Sequence, residues 1–121
     1  MGQTLNRLSA RTGDGLFKKL QTDAKFVHQQ GSIVSSLSCA AYPHATLGIE
    51  INAIIVYSEG NCEQVFKHLS ENSLQDLQCS IDNLADKMAR KNYEIAAITH
   101  FTAQTSWLHR TFEAIMIFNK L

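Results

Sequence analysis

The chain has 121 residues, 45% of them apolar, with acidic and basic residues in equal number. That length suits one domain, spanning residues 1–121, with a real core, and the apolar fraction excludes a disordered chain. A net charge of zero gives the whole molecule no pull on nucleic acid or an anionic membrane, and it opposes self-association only weakly.

Charge is nevertheless uneven along the chain. Residues 1–25 carry Arg7, Arg11, Lys18, Lys19 and Lys25 against Asp14 and Asp23, whereas the stretch 59–94 is predominantly acidic. No apolar run reaches the roughly 18 residues of a membrane span, and the N-terminus lacks the apolar centre of a signal peptide. Cys39, Cys62 and Cys79 form no Cys-x-x-Cys pair, so neither a disulfide framework nor a zinc knuckle is indicated. A cytoplasmic setting is the expectation.

In chain order, residues 1–13 are polar, with Leu5 and Leu8 as apolar anchors, and read as a loose arm or a short helix. Leu16, Phe17 and Leu20 fit one or two helical turns, Lys25–Gln29 a short strand, and Gly31 a turn. Ile33, Leu37 and Cys39 share a period-two face in a strand over 32–39, and the segment 40–46 around Pro43 reads as a loop. Leu47–Tyr57 is the clearest strand: Leu47, Ile49, Ile51, Ala53, Ile55 and Tyr57 form one face, and Ile54 and Val56 predict cover on both sides at its end. Asn61 with Gln64 makes a capping pair for a short helix carrying Val65, Phe66 and Leu69.

The strongest element is a long amphipathic helix over 73–91. Leu74, Leu77, Ile81, Leu84 and Met88 fall on one stripe, Ser73 stands at the N-cap, Lys87, Arg90 and Lys91 crowd the last turn, and Asn92 suits a left-handed stop. Residues 95–103 and 112–118 are the last strands, joined by a loop over 104–110. No internal repeat is visible. The fold expected is α+β: an antiparallel sheet of four or five strands, with a short N-terminal helix and the 73–91 helix packed on one face.

Histidines are the first candidates for chemistry. His44, His68, His100 and His109 are each followed two residues later by a hydroxyl, at Thr46, Ser70, Thr102 and Thr111; on a strand, residues i and i+2 project together. His44-Ala45-Thr46-Leu47 and His100-Phe101-Thr102-Ala103 resemble the paired His-x-Thr motifs of 2H phosphoesterases. That resemblance implies His44, Thr46, His100 and Thr102 as an acid–base set on a phosphate ester. Trp107 and Arg110 have the composition of a binding hot spot. The ligand spacing of a metal site is missing and no cofactor is indicated. The helix–strands–helices–strands order resembles that of small type III secretion chaperones, which implies a dimer binding an effector segment. The leading reading is a non-enzymatic, self-associating module, a dimer that binds a protein or a small apolar ligand.

Overall fold

The computed structural model describes residues 2–43, 48–106 and 109–121. Among them the elements run β1 (Gln3–Ala10), α1 (Gly13–His28), β2 (Ser32–Pro43), β3 (Ile49–Glu59), β4 (Gln64–Glu71), α2 (Leu74–Arg90), β5 (Tyr93–Ser106) and β6 (His109–Lys120). The expected single sheet of four or five strands is corrected to two three-stranded antiparallel sheets, sheet 1 in the order β1-β3-β2 and sheet 2 in the order β4-β6-β5. β2 and β5 run beside each other where the sheets meet, and there the Cys39 amide donates to the Thr99 hydroxyl at 3.0 Å.

Three local readings change with this. The polar arm is edge strand β1, whose alternate side chains face solvent, so its sequence lacks apolar runs. α1 continues well beyond Leu20 because Ala24 follows Leu16 and Leu20 at intervals of four, and all three are buried. Thr12 caps it, its hydroxyl accepting from the Gly15 amide at 3.0 Å. The expected short helix at Val65, Phe66 and Leu69 is strand β4. A short apolar run fits either period, and pairing with β6 decides it. The observed order therefore differs from the one shared with secretion chaperones.

The chain is two βαββ units in tandem. Ala10 pairs with Ile51 and Glu71 with Phe112, so both partners recur 61 residues on. The same shift carries N-cap Thr12 onto Ser73, and positive-φ Gly31 (87°) onto Asn92 (67°). It also carries the bulge at Val34/Ser36 onto that at Ile95/Ala97. Few aligned residues are identical, Leu16/Leu77 and Ala53/Ala114 among them, which is why the repeat is invisible to the eye.

Burial breaks the symmetry. Leu16, Leu20 and Ala24 of α1 pack on Ile51, Ala53, Ile55 and Tyr57, and the same core includes Ala97, Phe101, Ile115 and Ile117 from the inner face of sheet 2. α2 covers the other face of sheet 2 through Leu84, Met88, Met116 and Phe118. β6 is therefore buried on both sides from Glu113 to Phe118, and each large apolar side chain contributes roughly 1.5–3 kcal/mol. Sheet 1 has only α1. Its outer face leaves Leu5, Tyr42 and Ile54 exposed, so the expected cover on both faces of β3 is absent at Ile54.

Candidate functional site

The strand period builds the site. Phe66, His68 and Ser70 of β4 lie on the inner face of sheet 2, with Ser70 opposite Glu113 and His68 opposite Ile115 in the ladder. Thr111 stands two residues before Glu113 on the same face. The start of α1 crosses this corner, and a cavity of about 990 Å³ opens beside it, lined by His68, Ser70, Ala103, Gln104, Thr111 and Glu113. Arg11, Asp14 and Ile49 are among the residues of its rim.

Glu113 is the buried centre of this group, 5% exposed. Its Oε1 lies 2.6 Å from His68 Nε2, and Thr111 Oγ1 donates to its Oε2 at 2.8 Å. Gly13, the first residue of α1, is in contact with the same carboxyl, and a Cβ there would fall inside it. A glycine is therefore needed for the carboxylate to approach the positive end of α1, where backbone N–H groups favour negative charge. The ring of His68 lies against Phe17 of α1, centroids 5.5 Å apart. A buried carboxylate is costly unless paired and hydrogen-bonded, and this one has an imidazole, a hydroxyl and a helix start around it. The arrangement holds a polar anchor at fixed geometry inside a mostly apolar recess.

A second polar group, half-buried, lies between α1 and sheet 1. Asp23 Oδ2 accepts from Tyr57 OH at 2.5 Å and from Asn6 Nδ2 at 2.9 Å. Burial, and then the neighbouring Asp23, raise the Tyr57 phenol well above its ordinary range. Burial pushes the Cys39 thiol up to about 11, although its hydrogen bond with Thr99 acts the other way; a thiol so protonated is a poor nucleophile. Cys79 is exposed on the back of α2.

Of the residues singled out in the sequence, His44 and Thr46 lie outside the described residues. His100 and Thr102 are exposed on the α2 face of sheet 2, away from the cavity, because they pair with Ala114 and Phe112 rather than with inner-face positions. Trp107 lies outside the described residues, and Arg110 is exposed at the start of β6. The residues that do converge are His68 and Ser70, one of the four His-x-Ser/Thr pairs, with Thr111 from another. Glu113 had no sequence signal beyond being a lone acid within an apolar strand. Among the described residues no group of three His, Cys, Asp or Glu side chains is placed to hold a metal ion. No described helix is long and apolar enough to cross a membrane. Compared with protein-family models, with curated proteins and with solved structures, the chain matches none.

Proposed function

We propose that this chain is a binding module whose cavity takes a small, neutral, largely apolar molecule, with the Glu113–His68 pair as its polar anchor. The observation that carries this reading is the convergence of a buried carboxylate, an imidazole and two hydroxyls in a recess of about 990 Å³, a size and chemistry that suit a small-molecule site. Neutrality follows from the groups around it. Glu113 is already hydrogen-bonded to His68 and Thr111 and lies against the start of α1, and Asp14 at the rim pairs with Lys18 at 3.1 Å and stands opposite in sign to Arg11.

Titration with the neutral fluorophore N-phenyl-1-naphthylamine tests the proposal. Saturable enhancement is expected with the native chain. Ser70→Trp, at an exposed position on the cavity wall, should weaken it about tenfold, or 1.4 kcal/mol. Enhancement unchanged by Ser70→Trp would place the dye elsewhere. Self-association is a second reading, favoured by the exposed Leu5, Tyr42 and Ile54 on the outer face of sheet 1; a monomer in a sizing experiment would count against it.

A further inference from the structure

We infer that the groove between β1 and α1 takes an extended acidic peptide as an added strand on the open edge of β1. Among the described residues β1 is hydrogen-bonded to β3 alone, and such an edge offers backbone donors and acceptors to a further strand. In an antiparallel ladder each residue turns its N–H and C=O to the same side, and successive residues alternate. Lys19 Nζ donates to the Ser9 carbonyl at 2.7 Å, which places the backbone groups of Ser9 on the open side. Those of Arg7 and Leu5, two and four residues earlier, face the same way.

Beside this edge runs a groove of about 560 Å³ lined by Leu8, Lys18, Lys19, Thr22, Asp23 and Phe26. Leu8 and the half-exposed Phe26 offer apolar contact to alternate side chains of an added strand. Lys18, which pairs with Asp14 at 3.1 Å, and Lys19, whose ammonium holds the Ser9 carbonyl, supply positive charge, while Asp23, the acid in the groove, is already engaged by Tyr57 and Asn6. Lys25, exposed on α1 one turn beyond Thr22, adds a third positive charge nearby. That balance selects an acidic partner over a basic one.

The second unit lacks these features. At the positions equivalent to Lys18, Lys19, Asp23 and Phe26 stand Cys79, Ser80, Leu84 and Lys87. Ser80 donates to Glu71 at 2.7 Å, and Leu84 packs into the α2 core. The basic groove therefore belongs to the first unit alone.

The test uses the full chain and a fluorescein-labelled octapeptide alternating glutamate and valine, read by anisotropy. Saturable binding is expected, with the lysine–valine counterpart at least about tenfold weaker and with affinity falling as salt rises. Arg7→Pro removes an N–H that faces the open edge, a place where an edge strand tolerates proline, and should abolish binding. Arg7→Ala removes only the charge and should retain it within a few-fold. Lys19→Glu should weaken binding at least about tenfold, and in the native chain the amide resonances of Leu5, Arg7 and Ser9 should shift as peptide is added. If Arg7→Pro fails to fold, those last two measurements decide the matter. Equal binding of both peptides, or amide shifts confined to other strands, would overturn the inference. So would a dimer of the native chain that blocks the peptide, since a second copy would then be the occupant.

Discussion

Gly13→Ala adds one methyl group and alters neither residue of the Glu113–His68 pair, yet the structure requires it to disrupt that pair. The added Cβ would occupy the space of the Glu113 carboxyl, so the side chain must swing away. The hydrogen bond to His68, with a charged acceptor, is worth about 1.5–3 kcal/mol, and that from Thr111 about 1 kcal/mol. Against this loss of roughly 2.5–4 kcal/mol, alanine restricts the unfolded chain and returns about 0.4–1 kcal/mol. The net destabilisation is about 1.5–3.5 kcal/mol, which for a domain of this size lowers Tm by roughly 6–14 °C. Urea and thermal unfolding followed by circular dichroism measure it. The decisive comparison is the Glu113→Ala background, where no carboxyl remains to collide: there Gly13→Ala should be neutral or stabilise by about 0.5 kcal/mol. A coupling of about 1.5–4 kcal/mol is therefore expected across the cycle. Equal costs for Gly13→Ala in the two backgrounds would refute the packing of Glu113 against the start of α1.

Equivalent isoleucines in the two units should differ sharply: Ile115→Ala, at a position 0% exposed, is expected to cost about 2–5 kcal/mol. Ile54→Ala, at 41% exposed, should cost no more than about 1 kcal/mol by urea unfolding. With a thiol reagent at pH 8, Cys79 should react promptly while Cys39, its pKa pushed up to about 11 by burial, holds only about a thousandth of its molecules as thiolate; mass spectrometry of the labelled peptides distinguishes them. Because the Tyr57 phenol is raised in the folded state, its contribution to stability is complete below its unfolded pKa of about 10 and declines as pH rises above that. Tyr57→Phe should lose about 1–2 kcal/mol at neutral pH and show a shallower loss of stability above pH 10, as read from Tm against pH. Asn92→Ala, at φ 67°, should destabilise by about 1 kcal/mol in the same assay.

The sequence made α2 readable because its signals agree. The Leu77–Met88 stripe, the Ser73 cap, whose hydroxyl accepts from the Asp76 amide at 3.1 Å, and the left-handed Asn92 all mark the same helix. α1 was harder to bound: Phe26 sits on its exposed side, and the adjacent apolar pair Phe26-Val27 fits a short strand as well as the end of a helix. β1 and β4 are edge strands whose large apolar residues, Leu5 and Leu8 in one and Val65, Phe66 and Leu69 in the other, do not alternate with polar ones, so neither carries the period of a strand. The duplication lies in caps, bulges and register, which are backbone properties that different side chains satisfy equally well. That also explains the single-sheet reading, since nothing local to β5 or β2 states where one ladder ends and the next begins.

The site was legible in kind but not in place. The rule that i and i+2 on a strand project together does bring His68 and Ser70 to one cavity, whereas His100 and Thr102 obey the same rule on the opposite face. Which face is enclosed depends on where α1 packs, a long-range fact. Gly13 is the clearest case. In the sequence it breaks a pattern, and in the fold it admits the carboxylate of a residue 100 positions later.

The most direct test of the binding account is a methyl-detected NMR titration of the full chain with N-phenyl-1-naphthylamine. The Ala103 and Ile49 methyls, which line the cavity, and the His68 ring should shift together and saturate together. The methyls of Ile54 and Ile98, exposed on other faces, should stay still. Shifts at Ile54 and Ile98 with none at Ala103 and His68 would contradict it.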